Sequence, residues 1–570
     1  MSVNTGEMFK FPVPFDTQCY PELDEDPEVS NGLQDNKQEG DTGSSQEQPF
    51  DRKKLWKRLI VCCDGTGQSS TSGMSAVPTN VTRLARAIDT SFQIGKTETE
   101  SASEIPQIVL YQTGIGTEEV SIIGSGLSGA FGYGVDRHIL EAYTFFSLNY
   151  EDGDEMFLFG FSRGAFTARA IASLICNVGL LTKDCLGQLP IIYARYKQRV
   201  DTEESRRELE GWVRRRVKKQ DGKVEIADPA VPEDEKFTIN EEVVISVMGL
   251  FDTVGSLGIP DGTMSILLKP LSWLGLNNKK YQYHDTSFPV RINRTDFRAH
   301  IDSVYQVLAL DECRTPFTPT LLYDHGTMSS SGEVTKFRQV WMPGVHTDVG
   351  GGYERAFRDL SDISFAWMYD HLKGRLNFRP GIAKELEERS LDPARSDPRA
   401  KKKPTNPPVE SSPWAHSKEH DEYHTFKFKF GGQRYRNPGQ YYLHHSFEKQ
   451  TIFRTSEFIH PSVRVRMLRT GWRPPALHNF ALQHDADRDT YYWARECEVP
   501  GKGNVQLRIE EWRINIVDQT QGDIHHNQVN MESYLLDPEA VKDIQDLTSP
   551  EKIGKVTGQK SGWLKWLLAF

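Results

Sequence analysis

The sequence predicts an α/β fold in which helices cover both faces of a mostly parallel central sheet. Two observations support this prediction. Short runs that are apolar at every position, as strands buried on both faces are, end in glycine-rich turns. Helical patterns separate these runs, and strands that alternate with helices imply right-handed βαβ units. Insertions and a C-terminal extension are expected around this core.

The elements follow from the position of each run. The first strand is predicted at 59–63, where five apolar residues stop at the turn Asp64-Gly65-Thr66-Gly67. Four more strands are predicted at 107–112, 156–161, 243–251 and 337–342. Helices are predicted at 134–148, 164–176, 301–311 and 361–373, and a strand-like stretch lies at 505–517.

The chain of 570 residues divides into four parts. Residues 1–54 are polar, lack apolar periodicity and are expected to be disordered. The α/β domain is placed at 55–375, with a charge-dense surface insertion at 199–240. A Pro/Lys-rich linker or loop follows at 376–415, and residues 416–570 are expected to form a C-terminal extension that packs on the core.

Composition excludes several classes of protein. The 68 Lys and Arg residues against 79 Asp and Glu give a net charge of -11, whereas nonspecific nucleic-acid binding needs a basic surface. The 7 cysteines are scattered and contain no CxxC pair, which argues against a disulfide scaffold or a cysteine-rich zinc site. No secretory signal pattern and no run of about 20 apolar residues is present. We therefore expect a cytoplasmic protein without a nucleic-acid partner.

The strongest local motif is G-x-S-x-G at 160–164, between a predicted strand and a predicted helix. A serine on such a tight turn is raised above the sheet edge and can meet a histidine. The helix N-terminus and the backbone N–H of Arg163 can stabilise a developing oxyanion. Ser162 is therefore the predicted nucleophile, and the alternative is a glycine-rich strand end with an incidental serine.

Candidates for the acid and the base follow two other strands. Asp252 comes at the end of the fourth predicted strand, and His346 follows the fifth, before Asp348 and a triple glycine. Because the carboxyl ends of parallel strands share one sheet edge, these residues are expected near Ser162. His346 is the predicted base. Asp252 is preferred as the acid because a separate strand can hold a carboxylate against the far imidazole nitrogen. Asp348 is the rival acid. Asp252 could instead cap the turn in which it lies.

The turn after the first strand is the candidate for the second half of the oxyanion hole. The backbone N–H groups of Gly65 and Thr66 are the proposed donors. Asp64 is a secondary candidate, with bracing of this loop as its commoner role. Arg163 and Arg169 could meet an anionic headgroup, although arginines on a helix surface are usually structural or solvated.

Two other patterns have less specific meanings. The G-x-G-x-x-G at 124–129 begins well after its preceding strand, so we expect a loop over the site mouth rather than a dinucleotide site. His416, His420 and His424 are spaced four residues apart, but their polar surroundings favour solvated histidines over metal ligands. No metal or organic cofactor is expected.

The apolar C-terminal tail is too short to span a membrane. It is expected to dock on the protein's own surface, with peripheral membrane contact through Trp563, Trp566 and Phe570 as the alternative.

Ordered sequence blocks carry a family resemblance. They are CCDGTG, YQTGIGT, GAFGYGVDRHILEAY, FLFGFSRGAFTAR, GLFDTVGS and PGVHTDVGGGY. Together, over about 57–375, they resemble the α/β-hydrolase domain of type VI secretion phospholipase effectors and of many fungal proteins. The later blocks RNPGQYY and IHPSVR are similar to the C-terminal part of the fungal members.

The resemblance implies an α/β-hydrolase fold, hydrolysis of phospholipid acyl esters and a Ser-Asp-His triad. Carried over by motif, the triad falls on Ser162, Asp252 and His346. The expected substrate is therefore a lipid or other small ester, and delivery as a toxin into rival cells is not expected. Two alternatives remain. One is a noncatalytic binding protein on a hydrolase scaffold. The other is a metal-dependent phosphoesterase that uses Asp64, Asp252, His346 and Asp348.

Overall fold

The computed structural model describes residues 56–65, 77–94, 103–114, 127–198, 203–218, 227–240, 243–255, 300–322, 336–353, 359–384, 413–417, 420, 432–439, 455–499, 503–516 and 530–545. Several sequence-based expectations lie outside these ranges. They concern residues 1–54, Thr66, residues 124–126, His424 and the C-terminal tail. The expectation of a loop over 124–129 is wrong at its C-terminal half, because residues 127–129 begin the helix Leu127–Asn149.

The strands, in chain order, are β1 Arg58–Cys63, β2 Ser91–Ile94, β3 Ser103–Gln112, β4 Glu155–Phe161, β5 Val217–Lys218, β6 Phe237–Thr238, β7 Val244–Phe251, β8 His300–Ile301, β9 Ser303–Ala309, β10 Lys336–Met342, β11 Glu457–Ile459, β12 Ala481–Asp485, β13 Thr490–Val499 and β14 Gly503–Glu511. The helices are α1 Asn80–Ala87, α2 Leu127–Asn149, α3 Arg163–Val178, α4 Leu189–Lys197, α5 Glu203–Arg214, α6 His346–Gly350, α7 Leu360–Leu372, α8 Pro461–Thr470, α9 Met531–Leu535 and α10 Pro538–Gln545.

One large sheet organises these elements. Its strand order is β12-β13-β14-β11-β10-β9-β7-β4-β1-β3-β2, with β8 paired to β7. The central pairs are parallel, and antiparallel pairs occur only where β2 joins β3 and where β12, β13 and β14 meet, among the strands described. After β1 the chain forms β3 on one side of β1, and it then crosses over to form β4 on the other side. The topological switch therefore lies between β1 and β4, where open α/β sheets bind their ligands.

Helices cover both faces of the sheet. In β1, Leu59 and Val61 pack into a cluster with α2, α3 and α4, whereas Ile60 and Cys62 pack into a second cluster with α1 and α7. All six residues of β1 are buried, which explains why the five residues after Arg58 are apolar without alternation. The α/β class predicted from the sequence is confirmed.

The five predicted strands are confirmed as β1, β3, β4, β7 and β10, whereas the predicted helix at 301–311 is wrong. That segment forms β8 and β9, and every residue of β9 is buried. A segment that is buried on both faces has no polar side to reveal its period, so length and β-branched content are better guides than periodicity.

The C-terminal third adds to the same sheet. β11 pairs in parallel with β10 and with β14, so the antiparallel strands β12–β14 extend one edge of the sheet. Beneath them, Trp341 and Trp493 are fully buried in a third apolar cluster with α8. In the described part of the insertion at 199–240, α5 buries Leu209 and Val213 against the main core. Within the ranges given above, no helix combines the length and apolar character needed to cross a bilayer.

Candidate active site

Ser162 lies on a strained turn between β4 and α3. Its backbone has φ 57° and ψ -123°, a conformation that non-glycine residues rarely adopt. Glycines on either side allow the turn to be this tight. A Cβ atom at Gly160 would lie 2.5 Å from the Cα atom of Ala165, and one at Gly164 would collide with the backbone oxygen of Cys63. The turn thus has the geometry of a nucleophile elbow, with Ser162 almost completely buried.

Main-chain hydrogen bonds join this turn to the next strand. The backbone N–H of Ser162 donates to the carbonyl oxygen of Phe251 at 3.0 Å, and Asp252 follows directly. Asp252 also has a positive φ of 42°, and its N–H donates to the carbonyl oxygen of Val307 at 2.7 Å. The two strand ends therefore hold Ser162 and Asp252 side by side at the carboxyl edge of the sheet.

Asp252 contacts the imidazole of His346. His346 Nδ1 lies 2.6 Å from Asp252 Oδ2, and the backbone N–H of Ala309 donates to Asp252 Oδ1 at 2.9 Å. The carboxylate is completely buried and His346 is 4% exposed. An aspartate on Nδ1 fixes the tautomer and leaves Nε2 as the nitrogen that can accept a proton.

Arg436, which sequence reasoning did not single out, also contacts Asp252. Its Nη1 and Nη2 atoms lie 2.5 Å from Oδ1 and 2.9 Å from Oδ2 of Asp252. Burial alone would raise the pKa of Asp252, but the charge of Arg436 and the hydrogen bond from His346 outweigh it and hold the pKa at about 2. Arg436 belongs to the RNPGQYY block. Only the family resemblance of this block could have drawn attention to the residue, because nothing in the local sequence indicates a contact with Asp252.

Aromatic rings and a second ion pair fix the position of His346. The ring of Phe161 lies 4.7 Å from the imidazole at an interplanar angle of 31°, and Phe317 meets it edge-on at 4.9 Å. The backbone N–H of His346 donates to Glu312 Oε2 at 3.2 Å. Burial opposes ionisation of Glu312, yet its bonds to Arg314 lower its pKa overall. The Glu312 carboxylate is therefore charged where it accepts this N–H.

The rival acid Asp348 has different partners. Its Oδ2 accepts the backbone N–H of Val345 at 3.0 Å at the start of α6, and its Oδ1 lies 2.6 Å from His420 Nδ1. The expectation that His420 is a solvated histidine is wrong, because its ring also stacks on Tyr353 at 3.8 Å. Asp348 thus caps a helix and holds a second histidine, while Asp252 holds His346.

The turn after β1 is braced by Asp64. Its carboxylate accepts hydrogen bonds from the hydroxyl groups of Thr79, Thr82 and Tyr111 at distances of 2.5–2.9 Å. It also accepts the backbone N–H of Gly65 at 2.7 Å. This N–H, proposed from the sequence as an oxyanion donor, is therefore already directed at Asp64. Thr66, the other proposed donor, lies outside the described residues.

The two arginines near the elbow differ. Arg169 is buried and donates to the carbonyl oxygens of Thr320 and Leu321 at 2.6 and 3.2 Å, so the idea that it meets an anionic headgroup is wrong. Arg163 is the first residue of α3, and the amides of a first helical turn find acceptors outside the helix. Partial burial lowers the pKa of its guanidinium to about 10. The backbone N–H of Arg163 remains a candidate oxyanion donor.

The residues invoked for a metal site are engaged elsewhere. Asp64 is surrounded by hydroxyl groups, Asp252 by Arg436 and His346, and Asp348 by Val345 and His420. Within the part of the chain that the structure describes, no three His, Cys, Asp or Glu side chains are grouped as a metal ion would require.

A strained serine elbow beside a buried Asp–His pair, at the carboxyl edge of a parallel sheet, defines an α/β-hydrolase-like protein. Comparison with protein families gives a narrower assignment. The chain belongs to the family of Tle1-like phospholipase effectors of type VI secretion systems, because a model of their catalytic domain matches residues 57–371.

The individual relatives share little sequence identity with this chain. An uncharacterized protein of Saccharomyces cerevisiae, YEL023C, is 29% identical over 237 residues, which cover 39% of this chain and 30% of the yeast protein. A Tle1 effector solved with the VgrG spike of the type 6 secretion system is 18% identical, with a TM-score of 0.26 over 53% of this chain and 52% of its own. An uncharacterized protein from Pseudomonas aeruginosa is 16% identical, with a TM-score of 0.28 over 59% and 50% of the two chains. Structural similarity this low gives no information about the residues of the site.

Proposed function

We propose that this protein is a serine hydrolase that cleaves carboxylic esters of lipids or phospholipids through Ser162, His346 and Asp252. The observation that carries the proposal is the 2.6 Å contact between His346 Nδ1 and Asp252 Oδ2, directly beside the strained Ser162 turn. Membership of a phospholipase family supports the choice of a lipid ester as substrate.

In the first half-reaction, His346 Nε2 takes the proton from Ser162 Oγ as this oxygen attacks the ester carbonyl carbon. The carbonyl oxygen becomes an oxyanion near the N-terminus of α3, where the backbone N–H of Arg163 can donate to it. Asp252 stabilises the imidazolium that forms. The bond between the carbonyl carbon and the alcohol oxygen then breaks, and His346 returns the proton to the departing alcohol.

In the second half-reaction, water replaces the alcohol. His346 removes a proton from the water as its oxygen attacks the acyl group on Ser162. The ester bond to Ser162 breaks, the serine recovers its proton and a free fatty acid leaves. Every group required for this cycle belongs to the protein or to the solvent, so the proposed cycle needs no cofactor.

Labelling with a fluorophosphonate, read by intact mass, tests the mechanism. The wild-type chain should gain one adduct, Ser162→Ala should gain none, and EDTA should change neither result. Ser173→Ala is the matched control, since Ser173 is a buried serine on the same helix whose Oγ accepts a bond from Tyr196 at 2.8 Å. That variant should be labelled like wild type. Release of fatty acid from phosphatidylcholine vesicles would then test the substrate class.

Other outcomes favour the alternatives. If folded wild type forms no adduct and releases no fatty acid, a noncatalytic binding protein becomes the better interpretation. If ester or phosphoester cleavage persists in Ser162→Ala and stops with EDTA, a metal-dependent phosphoesterase replaces the serine mechanism.

A further inference from the structure

Arg436 reaches the proposed catalytic acid from a part of the chain that lies beyond the matched family domain. The match ends at residue 371, whereas Arg436 lies in the described segment 432–439. Its side chain is only 2% exposed. We propose that Arg436 is a positioning residue for Asp252, so that the catalytic site of this chain is completed by its C-terminal third. This proposal deepens the triad mechanism above and rests on it.

The contacts of Arg436 suit this role. The guanidinium forms a two-pronged pair with the Asp252 carboxylate, an arrangement that fixes the plane of both groups. The same side chain donates to the carbonyl oxygens of Ala309 and Phe317 at 2.7 and 2.8 Å. Ala309 donates its own N–H to Asp252, and the ring of Phe317 packs on His346. One arginine therefore connects the carboxylate to two neighbours of the Asp252–His346 pair.

Backbone contacts hold this segment in place. The N–H of Arg434 donates to the carbonyl oxygen of Cys313 at 2.7 Å, and the N–H of Thr315 donates to that of Gly432 at 3.2 Å. At the other end, the N–H of Gly439 donates at 2.8 Å to Oε1 of Glu457, the first residue of β11. The segment is thus anchored on both sides of Arg436, to the loop after β9 and to a strand of the C-terminal extension.

Charge explains why a buried acid needs this partner. A fully buried carboxylate without a compensating cation favours its protonated form, which cannot stabilise an imidazolium. Among the residues that the structure describes, the charged or titratable groups in contact with the Asp252–His346 pair are Arg436 and Glu312, and Arg314 is paired with Glu312. Glu312 has the same negative charge as Asp252, and Arg314 neutralises Glu312. Arg436 therefore places a permanent positive charge in direct contact with the Asp252 carboxylate.

The test compares Arg436→Gln and Arg436→Lys with wild type over a range of pH. The first readout is the rate of fluorophosphonate labelling. Loss of the guanidinium charge in Arg436→Gln should shift the acid limb of the rate profile to higher pH by about one to three units. Arg436→Lys keeps the charge but lacks the fork, so its acid limb should stay near that of wild type while its maximal rate falls. Arg434→Gln removes an exposed arginine of the same segment and is the matched control.

The second readout does not depend on activity. In wild type, Asp252 has a lowered pKa in the folded state and contributes stability above its unfolded pKa. Without Arg436 the folded pKa should exceed the unfolded value, so stability should be lost as the pH rises. The difference in melting temperature between wild type and Arg436→Gln should therefore widen from about pH 3 to about pH 7. Adding Asp252→Asn to Arg436→Gln should restore part of the lost stability, because the unpaired buried charge is removed.

The outcomes separate this proposal from the triad mechanism. If wild type is not labelled, the triad mechanism fails, and the pH-dependent melting difference alone decides whether Arg436 supports the charge of Asp252. If wild type is labelled but Arg436→Gln keeps its rate and pH profile, the positioning role is overturned. A melting difference that is constant with pH would also contradict it, as would an equal effect of Arg434→Gln.

Discussion

Gly164 packs against the backbone oxygen of Cys63 so closely that a Cβ atom at this position would overlap it, and Asp64 O lies 2.5 Å from the same point. The first turn of α3 and the end of β1 are therefore in direct backbone contact. This contact brings the Ser162 elbow next to the turn that follows β1. Because both neighbours are backbone atoms, neither can move aside as a flexible side chain could.

The variant Gly164→Ala should therefore lose stability and labelling together. Overpacking of a rigid contact costs about 1–3 kcal/mol of unfolding free energy, and here it also displaces the elbow. Chemical unfolding and fluorophosphonate labelling measure the two effects. Gly211→Ala is the control, because a Cβ atom at Gly211 in α5 meets nothing within 4 Å. That variant should gain about 0.5–1 kcal/mol, and an equal loss in both variants would contradict the packing explanation.

Substitution of the two candidate acids, Asp252 and Asp348, should change the rate of fluorophosphonate labelling to very different extents. Asp252→Asn should slow labelling by about three to four orders of magnitude, because an amide can hold His346 in the wrong tautomer. Asp348→Asn should slow it by about tenfold at most, since Asp348 caps α6 and holds His420 rather than His346. Labelling rates of both purified variants decide the matter. A larger loss in Asp348→Asn would make Asp348 the acid.

A buried cluster in the C-terminal third predicts a pH-dependent stability. Burial raises the pKa of Glu532 to about 8, and His460 Nε2 lies 3.0 Å from its Oε1. Because the folded chain holds this proton more tightly than the unfolded chain, the contribution of Glu532 to stability falls as the pH rises from about 5 to about 8. Thermal melts of wild type and Glu532→Gln over this range should show the variant gaining relative stability with pH.

The exposed Glu539, on the neighbouring helix α10, supplies the control. The difference in melting temperature between wild type and Glu539→Gln should remain constant over the same pH range. If the difference between wild type and Glu532→Gln is also constant with pH, the carboxyl of Glu532 is ionised in the folded chain.

Some elements of this fold are encoded in local sequence patterns, and others are not. Strands such as β1 could be predicted because burial on both faces leaves a continuous apolar run. The elbow could be predicted because its serine and glycines form a compact motif directly between a strand and a helix, although Gly164 is required by a contact with the distant Cys63. The segment 301–311 forms β8 and β9 rather than the helix that its sequence suggests, because a segment buried on both faces has no polar side to reveal its period.

The sequence by itself therefore determined the fold class, the family and the serine turn, since these depend on local pattern and ordered motifs. Only the tertiary structure decided that Asp252 rather than Asp348 meets His346, that Asp64 takes the amide of Gly65, and that Arg436 joins the site. The physical reason is distance along the chain. Arg436 and Asp252 are 184 residues apart, and no local signal encodes a contact that exists only once the C-terminal segment has packed against the loop after β9.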